Sequence, residues 1–361
     1  MFRAGGDPLG LHRVAAPAGL LPQAAHRLDA SLPPWDGEVW LQVDRLNVDA
    51  ASFEQLHAVE KAGGAAVADQ VMAIVRERGK LHNPVTGSGG MLLGRVRALG
   101  PRYDGPLAGL EPGTPVATLV SLTLTPLLLD AVLGVDYATH QLAVRGDACL
   151  PASAPAAALP ADLAPVLALA VLDVCGAPAL CHRVAQRLPA HARVLVLGAG
   201  KAGALSLAAL RVVRPDLWLA AVDRHLAPLD EVMAAGLADR VAAVDASDAV
   251  AVRALAHTWT DARGFDAVVN MASLPGTELA TVLACRPRGL CLFFGMATNF
   301  QRVALGAEGV GADVDLLIGN GYVDGHAALS LDLVRANGTL RHLLERRLGL
   351  AVSQGETRAT A

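Results

Sequence analysis

The chain has 361 residues, which predicts two domains, and its hydrophobic content of 53% is sufficient for two cores. A net charge of −4 gives no basic surface for nucleic acid, and no apolar run reaches the roughly 18 residues of a membrane span. The N-terminus lacks a signal-peptide pattern, and the five cysteines include no C-x-x-C pair, which argues against a disulfide framework and a zinc knuckle. We therefore expect a cytoplasmic protein that binds neither nucleic acid nor a membrane.

The first 150 residues have the pattern of a β-rich domain. Short strand-like runs, such as 38–43 and 113–124, are separated by turns rich in Pro and Gly. One helical segment, from about Ser52 to Gly79, interrupts them. This pattern predicts a mainly antiparallel, barrel-like domain.

A different pattern begins at residue 151, where an Ala/Pro-rich linker runs into a helix. Apolar strand-like runs then alternate with helical segments, which predicts a parallel sheet covered on both faces. These runs are 193–198, 217–223, 265–270 and 289–295. We expect this second domain to span 151–325, and residues 326–361, an amphipathic helix broken near Gly338, to return to the first domain.

The sequence R-V-L-V-L-G-A-G-K-A-G places Gly198, Gly200 and Gly203 in a G-x-G-x-x-G pattern between a strand and a helix. Gly198 permits a tight turn, Gly200 lets the backbone approach a pyrophosphate, and Gly203 packs the helix against the sheet. The phosphates would lie at the helix N-terminus, beside Lys201 and Ala202. The pattern predicts a dinucleotide site.

Asp223 ends the next strand-like run, where a carboxylate binds ribose hydroxyls and repels a 2′-phosphate. The expected cofactor is therefore NAD, with NADP as a weaker possibility because Arg224 and His225 follow. Two later strands end in the polar loops 270–273 and 295–298. We expect these loops, through Asn270, Gly295 and Met296, to contact the nicotinamide half, unless they are plain loops.

A nucleotide domain behind a β-rich domain resembles the medium-chain dehydrogenase/reductase superfamily, over nearly the whole chain. The resemblance implies an α/β fold, in which a doubly wound parallel Rossmann sheet follows a GroES-like N-terminal domain, and a homodimer or homotetramer. In zinc-dependent members two Cys and the His of G-H-E bind the metal, and the matching positions here look like Asp49, Gly90 and Cys175. Because Gly90 offers no side chain, we expect no catalytic zinc and a buried, apolar role for Cys175.

Four phrases resemble one zinc-free branch, the L-erythro-3,5-diaminohexanoate dehydrogenase family of lysine fermentation: H-N-P-V-T-G-S-G-G-M, N-V-D-A-A-S-F, D-V-C-G-A-P-A and F-F-G-M-A-T-N-F. This resemblance implies NAD-dependent oxidative deamination of that small amino acid to 5-amino-3-oxohexanoate and ammonia. The alternatives are a zinc-free quinone or enone reductase using NAD(P)H, and a non-catalytic nucleotide-binding regulator. Asp223 argues against the reductase, and the polar residues near Asp49 argue against the regulator.

An amine already has a lone pair that drives hydride departure, but it needs a base for the ammonium proton. Asp49 is one candidate, although it is also a favoured N-cap for a helix beginning near Ala51, and both interpretations stay open. His82 is the other candidate because its pKa suits proton transfer, although a lone His is more often structural. Glu54 and Asp173 are candidates for binding the second ammonium; a solvent-facing Glu54 and a hydrogen-bonding Asp173 are the alternatives.

The loop T-G-S-G-G-M is the candidate site for the substrate carboxylate. Its glycines, Gly89 among them, permit unusual backbone angles, and successive N–H groups with the Thr86 and Ser88 hydroxyls would form an anion-binding nest. The alternative is a flexible turn between two strands.

Overall fold

The computed structural model describes residues 2–119, 121–295 and 297–350. The chain forms two compact units, residues 1–162 and 163–361. The boundary lies after the Ala/Pro-rich segment that was predicted to be a linker, because part of that segment, Ala156–Ala158, forms an edge strand of the first unit.

The first unit combines antiparallel strands with two helices. Its strands are β1 (Val14–Ala16), β2 (Arg27–Leu28), β3 (Glu38–Asn47), β4 (Met91–Leu99), β5 (Pro115–Thr118), β6 (Leu127–Asp136), β7 (Gln141–Pro151) and β8 (Ala156–Ala158). Its helices are α1 (Ala50–Lys61) and α2 (Val67–Arg78), with 3₁₀ turns at Leu11–Arg13 and Leu122–Leu124. The main sheet has the order β6-β7-β3-β4-β5-β8, and β1 pairs with β2.

The central strand of this sheet shows why the sequence folds here as it does. Alternate residues of β3 (Val39, Leu41 and Val43) are buried in the core, as the period of a half-buried strand requires. The segment predicted as one helix is two, α1 and α2, because Gly63 takes a positive φ of 83° between them.

Two buried cations attach the N-terminal segment to this unit. The Arg13 guanidinium is fully buried and donates to both carboxylate oxygens of Glu38, while His12 Nε2 lies 2.8 Å from Glu38 Oε1. Lys80 is also fully buried, and its Nζ donates to the carbonyl oxygens of Pro22 and Gln23. These interactions hold the segment before β3 against the rest of the unit.

The second unit is a parallel sheet with helices. Its strands are β9 (Arg193–Leu197), β10 (Trp218–Asp223), β11 (Arg240–Ala243), β12 (Phe265–Asn270), β13 (Cys285–Phe293) and β14 (Asp315–Ile318). Its helices are α3 (Pro165–Leu172), α4 (Gly176–Ala185), α5 (Lys201–Val213), α6 (Leu226–Ala234), α7 (Ala249–Trp259), α8 (Glu278–Ala284), α9 (Phe300–Gly309), α10 (His326–Ala336) and α11 (Gly338–Arg347).

The strand order β11-β10-β9-β12-β13-β14 is that of a dinucleotide-binding Rossmann sheet. All five neighbouring pairs are parallel, and the four predicted strands are all present. The predicted fold class, a doubly wound parallel sheet plus a β-rich domain, is confirmed. The chain reverses its direction of winding between β9 and β12, which is where ligands bind in such sheets.

The C-terminal helices lie elsewhere than expected. Helices α10 and α11 pack on α3, α4 and α5 and belong to the second unit, not to the first. Their apolar faces, with Val334 and Leu340 fully buried, are covered by that contact. The predicted break is present, because Asn337 ends α10 and caps α11 by accepting the N–H of Leu340.

No single helix of the described residues is long and apolar enough to cross a membrane. One bent pair, α3 with α4, meets the criterion by length and composition, with an angle of 54° between its halves.

Candidate active site

The glycine loop after β9 has the geometry that its spacing predicts. Gly198 takes a φ of +92°, and a side chain there would meet the backbone of Ala272 at 3.0 Å. A Cβ on Gly203 would lie 1.9 Å from the Gly198 carbonyl oxygen, so only glycine lets α5 approach the sheet this closely. A Cβ on Gly200 would meet nothing within 4 Å, because this glycine faces open space.

A cleft of about 490 Å³ opens at the carboxyl ends of β9, β10 and β12. The N-terminus of α5 faces it, and Gly200, the N-cap, provides no side-chain cap. Free N–H groups at a helix N-terminus bind anions, so this end of the cleft suits a diphosphate. The side chains and backbone that line the cleft belong to Asp173, Val174, Gly198, Gly200, Lys201, Ala202, Asp223, Arg224, His225, Asp245, Ala246, Met271, Ala272, Ser273 and Leu274.

Asp223 lies at the end of β10, where the sequence predicted it. Its Oδ2 accepts the N–H of Ala199 at 2.9 Å and its Oδ1 accepts the N–H of His225 at 3.0 Å. These bonds fix the carboxylate at the rim of the cleft. Arg224 Nε donates to His225 Nε2 at 2.9 Å, and Asp245 adds a second carboxylate to the same lining.

Two charged side chains that line the cleft form an ion pair. Lys201 Nζ lies 2.6 Å from Asp173 Oδ2, and both side chains are partly exposed. The sequence predicts that Asp173 binds substrate, but in the structure its carboxylate pairs with Lys201, the lysine that follows Gly200.

Two loops, 270–273 and 295–298, are predicted to contact the nicotinamide half, and their residues differ in whether they line the cleft. Asn270 is buried and does not line the cleft, because its amide donates to the hydroxyls of Thr277 and Thr281 at 2.8 and 2.9 Å. Its Oδ1 accepts the N–H of Ala272, so Asn270 positions the lining loop instead of forming its surface. Gly295 packs against the Ala272 carbonyl oxygen, 2.4 Å from where its Cβ would be. Met296 lies outside the described residues.

In the first unit, Asp49 caps α1, and its two oxygens have different surroundings. Oδ1 accepts the N–H of Ser52 at 2.9 Å. Oδ2 is buried and has no hydrogen-bond partner among the described residues. A buried carboxylate oxygen without a partner is costly, which is typical of groups reserved for a ligand or a proton.

The loop that follows α2 is joined to α1 by hydroxyl and amide groups. The Ser52 and Thr86 hydroxyls are 2.6 Å apart. Asn83 Nδ2 donates to Gln55 Oε1 at 2.8 Å, and Asn83 Oδ1 accepts the N–H of Val85 at 2.8 Å. We call Asp49, Ser52, Gln55, Asn83 and Thr86 the Asp49 cluster. Sequence reasoning missed Ser52, Gln55 and Asn83; the N-P turn after His82 was the only local signal for Asn83.

Several N–H groups of the predicted nest are already bonded within the loop. The N–H groups of Val85, Thr86 and Gly87 are bonded to Asn83, and that of Ser88 points to the Thr86 hydroxyl. Gly89 lies against another segment, because a Cβ on it would be 2.2 Å from the Leu81 carbonyl oxygen. The Thr86 and Ser88 hydroxyls are therefore candidate groups for binding an anion, although the Thr86 hydroxyl is also bonded to that of Ser52.

His82 Nδ1 is buried without a hydrogen-bond partner among the described residues. Burial and the neighbouring charges of Lys80 and Arg78 hold the pKa of His82 below its ordinary value. These surroundings therefore favour the neutral imidazole over the protonated one. Glu54, by contrast, is well exposed and lies 3.5 Å from His140 Nε2, on the solvent side of α1.

Two of the three residues at the positions that match zinc ligands, Gly90 and Cys175, are closely packed or buried. Gly90 packs against the backbone, with the Asn47 carbonyl oxygen 2.0 Å from where its Cβ would be. Burial raises the pKa of the Cys175 thiol to about 12, which is consistent with the buried, apolar role expected for it. Among the described ranges, no three His, Cys, Asp or Glu side chains converge as a metal site would need.

Residues 12–160 match the family model for the L-erythro-3,5-diaminohexanoate dehydrogenase N-terminal domain. A relative from Acetoanaerobium sticklandii, named L-erythro-3,5-diaminohexanoate dehydrogenase, is 37% identical over 94% of this chain and 98% of its own. A relative of the same name from Fusobacterium nucleatum subsp. nucleatum is 39% identical over 94% of this chain and 97% of its own.

Solved structures share the fold at low sequence identity. An alcohol dehydrogenase from Thermotoga maritima superposes with a TM-score of 0.53 at 14% identity, over 88% of this chain and 85% of its own. A mycobacterial quinone oxidoreductase has a TM-score of 0.53 at 17% identity, over 91% and 93% of the two chains. The solved structures show that the chain has the medium-chain dehydrogenase fold. The two relatives show that it belongs to the L-erythro-3,5-diaminohexanoate dehydrogenase family of oxidoreductases.

Proposed function

We propose that this enzyme oxidises L-erythro-3,5-diaminohexanoate to 5-amino-3-oxohexanoate and ammonia, with NAD as the hydride acceptor. The observation that carries the proposal is the identity of 37% and 39% to two relatives of that name, over 94% of the chain in each case. In the balanced reaction, the diamino acid, NAD⁺ and water give the amino-oxo acid, ammonium, NADH and a proton.

The cleft of the second unit would bind the dinucleotide. The open space at Gly200 and the uncapped start of α5 fit a diphosphate, and Asp223 fits a pair of ribose hydroxyls. When bound, NAD supplies an acceptor for the hydride that leaves the substrate carbon. The cleft lining contains two carboxylates, Asp223 and Asp245, and one arginine, Arg224. Because the carboxylates would repel a 2′-phosphate, this lining supports NAD over NADP.

The Asp49 cluster would hold the substrate and move its protons. The free Oδ2 of Asp49 would accept a proton from the ammonium whose carbon is oxidised, so that the nitrogen lone pair can push the hydride out. After releasing that proton to solvent, the same oxygen would take a proton from the water that attacks the resulting imine. Nitrogen leaves as ammonia, and the carbonyl oxygen comes from that water.

The remaining predicted site residues receive separate roles. The Thr86 and Ser88 hydroxyls would donate to the substrate carboxylate, since the neighbouring N–H groups are already bonded. His82, whose surroundings favour the neutral imidazole, would serve as a second proton acceptor. The exposure of Glu54 favours a solvent-facing role, and the ion pair of Asp173 favours a role in the nucleotide cleft.

We also infer a cytoplasmic homodimer or homotetramer. The five cysteines are free, which suits a reducing compartment. Strand β14 is an edge of its sheet and exposes apolar side chains, with Ile318 58% exposed. Such an edge favours pairing with a second copy, which sedimentation equilibrium would detect.

The direct test is turnover of L-erythro-3,5-diaminohexanoate by chelator-treated enzyme with NAD, and with NADP in parallel. We expect reduced nicotinamide and ammonia in equal amounts. A Gly203→Val variant is the matched control, because its side chain would collide with the Gly198 carbonyl oxygen and close the nucleotide site. Reduction of a quinone without any turnover of the diamine would contradict the proposal.

A further inference from the structure

The ion pair between Asp173 and Lys201 lies within the cleft that the proposed function assigns to the dinucleotide. Asp173 is the C-cap of α3, and Lys201 is the first residue of α5, directly after Gly200. Both side chains line the cleft, and their charged atoms are 2.6 Å apart.

The charge of Lys201 lies at the unfavourable end of its helix. A helix N-terminus carries partial positive charge, so the Lys201 ammonium is repelled there. The Asp173 carboxylate, in the turn between α3 and α4, offsets that repulsion.

An arriving diphosphate changes this balance. It brings negative charge to the N-terminus of α5, beside Lys201, where a single lysine faces both the diphosphate and Asp173. The side chains of Lys201 and Asp173 are 33% and 43% exposed, so solvent weakens their attraction and lets the pair open.

We propose that Asp173 and Lys201 form an ionic latch: Lys201 is held by Asp173 in the free enzyme and turns to the diphosphate of the bound dinucleotide. Asp173 then competes with the cofactor, lowers its affinity and promotes its release after turnover. This inference rests on the proposed nucleotide site and goes beyond it by making Asp173 a determinant of cofactor affinity.

The test is the equilibrium binding of ADP, NADH and adenosine, measured by calorimetry on the whole enzyme. We expect Asp173→Asn to tighten ADP and NADH by roughly three- to tenfold, the size of one partly screened charge interaction, and to leave adenosine unchanged. Lys201→Gln should weaken ADP and NADH by about fivefold or more, again sparing adenosine. In the Lys201→Gln background, the gain from Asp173→Asn should fall below about twofold, because the latch is already absent.

Asp332→Asn is the matched control, since it removes an exposed carboxylate of the same unit that pairs with Arg335 away from the cleft lining. It should change none of the three affinities. Unchanged or weaker ADP binding by Asp173→Asn would overturn the latch, as would an equal gain for adenosine. If the unaltered enzyme bound none of the three ligands, the nucleotide site itself would be wrong and the latch with it, which separates the two failures.

Discussion

One oxygen of the Asp49 carboxylate caps α1, and we propose that the other takes part in proton transfer. Substituting Asp49→Asn separates these roles, because Asn is about as good an N-cap as Asp but cannot accept a proton. We expect the melting temperature to stay nearly constant while kcat falls by about a hundredfold or more. Steady-state kinetics together with thermal unfolding would check both parts.

The chain offers a matched control for this variant. Asp248 caps α7 in the same way, with its Oδ1 accepting the N–H of Ala251 at 2.9 Å. Asp248→Asn should leave both kcat and the melting temperature unchanged. If Asp49→Asn also left kcat and the melting temperature unchanged, Asp49 would act only as an N-cap, and another group would be the base.

Asp223 permits a second prediction about a single side chain. An Asp223→Asn substitution removes the charge that repels a 2′-phosphate and weakens the bonds to the ribose hydroxyls. Because a hydrogen bond to a charged group contributes about 1.5–3 kcal/mol, the ratio of kcat/KM for NAD to that for NADP should fall by roughly 10- to 100-fold. An unchanged ratio would mean that Arg224 and His225, and not Asp223, determine cofactor choice.

Between elements, Asn83 joins the start of α1 to the loop before β4. Its amide donates to Gln55 and to the Ser52 carbonyl oxygen, and its Oδ1 accepts the N–H of Val85. Asn83→Ala should lower the free energy of unfolding by about 2–4 kcal/mol, because buried partners lose their bonds. The KM for the diamino acid should rise as well, since Thr86 would no longer be held beside Ser52.

Asn83→Asp is the informative companion variant. It keeps the oxygen that binds Val85 and loses the amide that reaches α1. We expect denaturant unfolding to give it an intermediate stability, and kinetics to give it a KM closer to that of the unaltered enzyme than Asn83→Ala has. An equal rise of KM in both variants would show that the hydrogen bond from the Val85 N–H to residue 83 does not position the loop for substrate binding.

The nucleotide cleft was predictable from the sequence because its determinants are local. Gly198, Gly200, Gly203 and Asp223 lie in one strand-turn-helix-strand segment. A positive φ requires glycine at Gly198, and close packing requires it at Gly203. The Asp49 cluster was only partly predictable. Its bonds join residues about 30 apart in the chain, as between Ser52 and Thr86, and no periodicity or spacing rule relates such positions.

Asn270 illustrates a different limit. The end of a parallel strand predicts a place at the ligand edge, but it does not predict the direction of a side chain. The Asn270 amide turns inward because the hydroxyls of Thr277, the N-cap of α8, and of Thr281 on α8 accept its hydrogen bonds in the interior. The C-terminal helices were assigned to the wrong unit for a similar reason, since an amphipathic pattern shows that a face is covered but not which surface covers it.

For the molecule as a whole, the buried pair of Glu38 and Arg13 predicts sensitivity to acid. Burial would raise the pKa of Glu38, but hydrogen bonds from Arg13 and His12 outweigh it and hold the pKa at about 2, below the ordinary 4.5. A pKa depressed in the folded state stabilises the protein fully above pH 4.5, and this contribution, roughly 3 kcal/mol, is lost as the pH falls toward 2.

Urea unfolding between neutral and acid pH would measure this loss. Glu38→Gln should be less stable at pH 7, because Arg13 loses its buried partner, and its stability should fall less steeply with acid. Glu111→Gln, at an exposed position, is the control and should follow the unaltered protein. If the stability of Glu38→Gln and of the unaltered protein depended on pH in the same way, Glu38 would not be the source of the acid sensitivity.

The chain contains only three lysines, Lys61, Lys80 and Lys201, and their surroundings differ enough to make the protein a selective target for amine-reactive labels. Burial lowers the pKa of Lys80 to about 8, yet its Nζ is enclosed and bonded to two carbonyl oxygens, out of reach of a reagent. Lys61 is exposed on α1, which leaves Lys201 as the one reactive lysine side chain of the nucleotide cleft. Mass spectrometry of labelled peptides would therefore report cleft occupancy from Lys201 directly, with Lys61 as the internal reference for reagent concentration.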